Sequence, residues 1–452
     1  NVWRWMSTDI SLSQYTLEHV VLHVLHERSP VYSWATTATW MQSRQATDRE
    51  RALSYALRRV KYCALLLAKT EVLLRTAEFA RMYGVDFFSV LSRGSQFRVE
   101  SVVLRITKPR SFMLPSPSRA QVGRQNAPEC IPLVMEPLAN MYHSPVIVLD
   151  FQSLYPSIMM AYNICYSTCL GRIAPFKGTY KLGFTDYTPD EHTLRALRDD
   201  VYLLPNGLAF VKPHIREGVL PRMLREVLSA RVMTKHTLRV MHMHRGMQKR
   251  LQAQQLALKL LANVTYGYCG ATFSGRMPCV EIADSIVQAG RETLEHAMSL
   301  VERTPEWGAE LVYGDTDSLF VHVPGRSKND AFRIGREIAE RVSALHPAPV
   351  LLRMEKVYQP SLLVSQKRYA GYLCESTQQA RAVLDVKGLE MIRRDGHAVQ
   401  RRLQEACIRL LFETRDLSAV KRYCQRQWTK LYAGQISPHL LIISRQVRLV
   451  YA

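Results

Sequence analysis

A chain of 452 residues is long enough for about three domains at ~150 residues each and for several apolar cores, which excludes a small stapled scaffold. With 47% hydrophobic and 22% charged residues, it is also far from a disordered or collagen-like composition. Sixty Lys and Arg against 39 Asp and Glu leave a net charge of +21, so a polyanion heads the expected partners. Nine scattered cysteines include no C-x-x-C pair; reduced thiols are expected, with no zinc site or iron–sulfur cluster. No apolar run reaches the ~20 residues of a membrane span, so no membrane partner is expected. The sequence opens on Asn1 without a basic-then-apolar leader, and the expectation is a fragment or a chain whose start has been removed.

Residues 1–95 mix basic and apolar stretches, and the segment from Glu50 through Arg58, Arg59 and Leu65 to Leu67 has helical period. Residues 96–150 read as strand-rich, with a Pro/Ser loop over 115–124. The β-branched run SPVIVLD at 144–150 predicts a strand that ends in a carboxylate, and Pro156 suits the first turn of a following helix. Asp150 then stands at a strand-to-helix turn, with the amides of Ser153, Leu154 and Tyr155 at a helix start that favours phosphate. Taken alone, Asp150 fits a turn or capping residue equally well.

Between residues 221 and 260 there are nine Lys or Arg and one acid, Glu226, with Gly246 the one glycine. This pattern predicts two basic helices joined near Arg245 and Gly246. KLLANVTYG follows at 259–267, where Lys259 and Asn263 share a helix face and Tyr266 lies close to it. Arg231 and Lys235 form a second i, i+4 pair, so four groups can converge on one triphosphate. A solvated basic face is the competing reading of Arg231 and Lys235. Residues 309–323 predict strand, tight turn and strand, with Gly314, Asp315, Thr316 and Asp317 at the tip. Two acids one residue apart repel unless a cation lies between them, and Mg²⁺ with its oxygen ligands suits that demand. A polar surface turn or the Asp-x-Asp site of a sugar transferase fits the tip alone. Residues 389–452 carry twelve Lys or Arg against five acids in a largely helical pattern.

The three blocks DFQSLYPSI at 150–158, KLLANVTYG at 259–267 and YGDTDS at 313–318 resemble, in order, the motifs of the B-family DNA polymerases. Gln152, FSGRMPCVEIADSIV at 273–287 and RGSQFRVESVVLRITKP at 93–109 are most similar to its zeta-type catalytic subunits, which act in translesion synthesis. A delta-like replicative polymerase and a non-catalytic DNA-binding scaffold are the alternatives. The resemblance implies an α+β, right-hand architecture of palm, fingers and thumb. Residues 1–95 would be a remnant of an exonuclease-like domain, 96–210 the first part of the palm and 211–265 the fingers. Residues 266–387 would complete the palm and 388–452 begin a truncated thumb.

The same resemblance implies two Mg²⁺ ions bridged by Asp150 and Asp317, with Asp315 a nearby ligand and Phe151 contributing its backbone carbonyl. It makes Tyr155 a steric gate against a ribose 2′-hydroxyl, the competing reading being a core aromatic. Ser153, Leu154, Arg231, Lys235, Lys259 and Asn263 would hold the triphosphate of a dNTP, and Tyr266 with Gly267 would floor the nascent pair. Gln366-Lys367-Arg368-Tyr369 departs from the family's Lys-Lys-Arg-Tyr at its first position, leaving Lys367, Arg368 and Tyr369 as holders of primer-template DNA. Arg393 and Arg394 would meet duplex phosphates in the thumb. Glu355 matches a palm carboxylate, against which stands a local salt bridge. Tyr55 followed by Arg59 stands where proofreading members place Tyr and a metal-binding Asp, so no exonuclease activity is expected. A nuclear protein is implied, with accessory subunits that bind through regions outside this sequence.

Overall fold

The computed structural model describes residues 1–443 apart from 13, 175–178, 241–243, 272–275, 380 and 394. The chain divides into two compact units, Asn1–Arg75 with Lys387–Ala452, and Thr76–Val386.

The larger unit is built on a seven-stranded sheet. In chain order the strands of this unit are β1 (Asn140–Tyr142), β2 (Val146–Phe151), β3 (Cys169–Arg172), β4 (Lys181–Leu182), β5 (Thr185–Asp186), β6 (Val201–Leu203) and β7 (Leu208–Val211). They continue with β8 (Glu310–Asp315), β9 (Ser318–His322), β10 (Leu352–Ser365), β11 (Arg368–Cys374) and β12 (Val383–Lys387). The main sheet runs β12-β11-β10-β2-β9-β8, with β1 added on β10. Strand β2 is central because its Val146, Ile147, Val148 and Leu149 are all buried, and β-branched residues suit a pleat covered on both faces. Ile147, Leu149 and Phe151 join the main core with Leu319 and Val321, while Val146 and Val148 join Tyr313, Phe320 and Tyr358 on the opposite face.

The helix Lys328–Ala344 packs on β2 and β10. It starts from a capping box in which Ser327 and Asp330 satisfy each other's amides. Gly335 permits the close approach, since a Cβ there would stand 2.9 Å from Ile147 and 2.8 Å from Met354. The buried helix Val280–Glu302 completes this layer. The two basic helices are Val219–Val240 and Arg245–Gly270, which pack on each other. The residues between them at 241–243 lie outside the described ones. Burial is confined to Val219, Leu220, Pro221, Met223, Leu224 and Val227 in the first and to residues from Ala253 onward in the second, so their joined ends project from the core.

Residues 96–150 are not strand-rich. Ser95–Thr107 is a helix, Arg119–Val122 a further short one, and strand begins only at Asn140. Val99, Val102 and Val103 are buried on one face of the first helix, a three- and four-residue spacing that outweighs their β-branched character.

The smaller unit is helical. Ala46–Lys69 lays Tyr62 and Leu66 against Met6, Leu12, Val20 and Val21. Its carboxy-terminal part contributes Ala398–Thr414 and Leu417–Tyr432, whose Cys407 and Cys424 sulfurs are 3.5 Å apart.

Candidate active site

The antiparallel register brings the distant acids together. β2 ends as β9 begins: Asp150 is paired with Ser318, the residue after Asp317, and on its other side with Arg353 of β10. The Phe151 amide donates to the Asp317 carbonyl at 2.8 Å, so the hairpin tip is sewn to the end of β2. Burial pushes the Asp150 carboxyl up to about 7, with the charges of Asp317 and Glu355 adding and Lys356 opposing. Asp317 is also raised, by burial and by the charges of Asp315 and Glu355, against its own amide and Lys367. Asp315 is placed differently. Its carboxylate faces Lys367 Nζ at 3.5 Å and accepts hydrogen bonds from Thr316 Oγ1 at 3.1 Å and Tyr313 Oη at 3.4 Å. The cation that the Asp-Thr-Asp tip demands is thus a lysine at Asp315.

Asp150 and Asp317 have no ion pair among the described residues, and no three acidic, imidazole or thiol side chains group there to hold a metal unaided. The donor set still fits a hard divalent ion. Two mutually repelling carboxylates beside a backbone carbonyl leave open positions for water and phosphate oxygens, which Mg²⁺ retains as ligands. Phe151 is only 1% exposed, its ring in the core, so its backbone carbonyl is the group it offers. Glu355 lies 3.7 Å from Lys356, whose Nζ is also 3.2 Å from Asp385, yet it is more than half exposed and its charge reaches both Asp150 and Asp317.

After Phe151 the chain turns through Ser153, whose φ of 49° is left-handed and whose side chain makes no cap hydrogen bond, into the helix Leu154–Ala161. Its first turn therefore presents amides rather than a capped end. The Tyr155 ring meets Tyr266, centroids 4.6 Å apart, and rests on Gly290, where a Cβ would be 3.0 Å from the ring. Burial raises the Tyr155 hydroxyl far above its usual range, with Tyr266, Asp317 and Asp315 adding to the shift. Tyr155, Tyr266 and the hairpin tip therefore share one site.

On the second basic helix Lys259, Asn263 and Gly267 are exposed and four residues apart, forming one stripe beside Tyr266. Across from them, burial lowers Lys235, as do the charges of Arg231, Arg239, Lys259 and Arg353. Arg231 is lowered by burial, and its Nε is buried without a hydrogen-bond partner. A cluster of like charges with a partnerless donor is arranged for an anion. Arg353 was not foreseen: a lone arginine in a strand gives no signal until register sets it opposite Asp150. Gly290, inside a helical pattern, was equally silent.

Lys367, with φ 59° and its amide donating to Tyr313 Oη at 2.9 Å, forms the turn between β10 and β11. Arg368 pairs with Ser365 across that turn. Tyr369 packs among Tyr313, Phe320 and Tyr358. In the smaller unit Arg393 makes a two-pronged bond to Asp395 at 3.0 and 2.6 Å, while Arg394 lies outside the described residues. Arg59 there binds Tyr55 Oη at 3.0 Å and pairs with Glu18.

The model of "DNA polymerase family B" matches residues 85–451. The chain is 47% identical over 452 residues to the DNA polymerase zeta catalytic subunit of Saccharomyces cerevisiae, covering 99% of this chain and 30% of that protein. It is 46% identical over 451 residues to the zeta catalytic subunit of Homo sapiens, covering 99% of this chain and 14% of that protein. To the DNA polymerase delta catalytic subunit of Oryza sativa subsp. japonica the identity is 34% over 448 residues, with 97% and 38% covered. The chain thus spans less than a third of the length of these two zeta relatives. No helix among the described residues is long and apolar enough to cross a membrane. With the three motif blocks assembled in one sheet-and-helix site, and the family's model matched over most of its length, the chain belongs to DNA polymerase family B.

Proposed function

We propose that the protein is a template-directed DNA polymerase that adds deoxynucleotides to a primer 3′-hydroxyl. The observation that carries this reading is the register of Asp150 against the Asp317 turn and against Arg353, which joins two raised carboxylates that have no ion pair among the described residues. In this reading residues 96–210 and 266–387 are the palm, 211–265 the fingers, 388–452 the start of the thumb and 1–95 an exonuclease-like remnant.

Asp150, Asp317 and the Phe151 carbonyl would hold two Mg²⁺ ions, with Asp315 close by. When bound, such ions lower the pKa of the attacking hydroxyl and neutralise charge on the leaving pyrophosphate. Arg231, Lys235 and Lys259 draw the triphosphate out of water, and Asn263 adds an amide donor. The amides of Ser153, Leu154 and Tyr155 receive phosphate oxygens at the helix start. The Tyr155 ring, held by Tyr266 and Gly290, crowds a 2′-hydroxyl, while Tyr266 and Gly267 floor the new pair. Lys367, Arg368 and Tyr369 hold the primer end, and Arg393 and Arg394 meet duplex phosphates. Because the joined ends of the basic helices project from the core, they can close over a bound nucleotide and exclude water.

Similarity to zeta catalytic subunits supports a nuclear role in translesion synthesis, extending mismatched or damaged primer ends with accessory subunits. Arg59, paired with Glu18 in place of an acid, supports the absence of proofreading. Primer extension with Mg²⁺ and dNTPs on matched and mismatched primers tests the proposal. Extension of both is expected. Absence of incorporation in a single turnover at saturating DNA overturns it.

A further inference from the structure

The zeta-like stretch at 273–287 contains two acids that the mechanism does not use. Glu281 and Asp284 stand on the first turns of the helix Val280–Glu302, and each is only 4% exposed. Neither carboxylate has an arginine or lysine in an ion pair among the described residues. Their partners are neutral donors on other segments, with the Cys279 thiol at the helix N-cap also donating to Glu281 Oε2 at 3.5 Å. Asp284 accepts the Glu129 amide at 2.8 Å through Oδ2 and the Cys130 amide at 3.4 Å through Oδ1. Glu281 accepts Asn126 Nδ2 at 3.1 Å and the Gly183 amide at 2.8 Å, while Gln125 Oε1 receives the Val280 amide at 3.3 Å. A buried carboxylate that satisfies two successive backbone amides fixes that backbone, because leaving either donor unmade in the interior is costly.

The segment so fixed has almost no structure of its own between residues 123 and 139. Only Ile131 and Pro132 separate Cys130 from Leu133, and proline holds φ near one value, so a shift at Cys130 passes on rather than dissipating. The Leu133 carbonyl then accepts the Thr316 amide at 2.8 Å. Thr316 is the residue between the two aspartates, and its φ of 57° is a left-handed conformation that a threonine adopts only under constraint. The Met135 amide bonds to the Gly314 carbonyl at 2.9 Å, with Met135 Sδ so close that a Cβ on Gly314 would lie 3.1 Å away. Further along, the Leu138 amide reaches the Val312 carbonyl at 2.9 Å. One end of the segment is therefore clamped by acids of the helix and the other is bonded to the tip that carries Asp315 and Asp317. The same segment passes the site floor: the Tyr266 hydroxyl, raised first by burial, is raised further by Asp284 and Cys130.

We propose that Asp284 is a positioning residue: its carboxylate clamps the 129–130 backbone so that the Leu133 carbonyl holds the Thr316 amide and sets the Asp-Thr-Asp turn for catalysis. This rests on the polymerase reading for its functional consequence but not for its structural one. The test is amide hydrogen exchange of the peptides covering 129–138 and 311–320 in metal-free protein, run beside single-turnover primer extension. Asp284→Ala is expected to speed exchange in both peptides by about tenfold or more. It is expected to lower the extension rate at saturating dNTP by about tenfold, with the KM for dNTP changed less than about twofold. Asp284→Asn keeps one acceptor and falls between wild type and Ala on both readouts; it also serves if the alanine variant does not fold. Unchanged exchange over 311–320 in the Asn and Ala variants overturns the proposal, as does faster exchange with an unchanged rate. If exchange responds but the wild-type protein extends no primer, the polymerase reading fails and the structural coupling stands.

Discussion

Two acidic sites in the larger unit are both penalised by desolvation and end in opposite states. Glu78 is 2% exposed, yet its carboxyl lies below the usual range. Burial alone pushes it up, but hydrogen bonds from Gln254 and Arg250 and the charges of Arg250 and Arg81 outweigh that push. Asp150 and Asp317, also withdrawn from solvent, have no side-chain hydrogen bond or ion pair of this kind among the described residues and are raised. At Glu78 the neighbours supply donors and positive charge that outweigh burial; at Asp150 and Asp317 the acidic neighbours add to it. A protein able to satisfy a buried carboxylate at Glu78 leaves a pair raised where β2 ends and β9 begins, at a cost in stability that a bound cation would offset.

The sharpest way to break this contrast is to remove one acid of the raised pair. Asp317→Ala is expected to cut primer extension by about 10³-fold or more, because the remaining carboxylate cannot hold the ions alone. Metal-free Asp150→Asn should unfold no earlier than wild type, because the change lifts repulsion rather than removing a contact. Extension that survives Asp317→Ala would sink the site assignment. A large loss of metal-free stability in Asp150→Asn would show that the pair is structurally satisfied after all.

The cationic side of the site gives the next effect. Among the described residues Arg231 and Lys259 stand with other cations and pair with no acid, so their partner is expected to be the nucleotide's phosphates. Arg231→Ala and Lys259→Ala should each raise the KM for dNTP by about 10- to 100-fold, with a smaller fall in kcat. Arg231→Lys should recover only part of that loss, since an ammonium lacks the planar fork. Steady-state kinetics at fixed primer-template decide the matter. An unchanged KM in both alanine variants returns these residues to a solvated basic face.

The sequence made some of this legible and hid the rest for physical reasons. The run ending in Asp150 and the Gly-Asp-Thr-Asp tip were readable because a β-branched run and a tight turn are local patterns. The basic helices were readable from charge and period, and they lie at Val219–Val240 and Arg245–Gly270. Residues 96–107 were misread because valines at helical spacing also resemble a strand. Arg353, Gly290 and Asp284 were invisible as functional residues. Their placements come from strand register, from the space beside a ring, and from hydrogen bonds between segments more than 150 positions apart. Such relations exist only in the folded chain. Asp315 sharpens the point: its likeness to Asp317 in sequence is broken by Lys367, which only the β10–β11 turn brings near.

The smallest predicted effect concerns stability and tests the other half of the contrast. Glu78 joins the Val72–Tyr83 helix to the second basic helix through Arg250 Nε at 2.8 Å and Gln254 Nε2 at 2.7 Å. Because its folded pKa is below the unfolded value of about 4.5, the stabilisation is fully present above that value and is lost as pH falls through the folded one. Glu78→Gln should therefore cost about 1–3 kcal/mol near neutral pH, discounted because Arg250 and Arg81 remain partly in water. The stability gap between wild type and variant, followed by denaturant titration, should be constant down to about pH 5 and shrink below it. A gap that persists undiminished to about pH 3.5 would mean that the charge on Glu78 is not what holds the two helices together. The loss would then come from shape or hydrogen bonding alone, and the distinction between a satisfied and an unsatisfied buried acid would rest on Asp150 and Asp317 only.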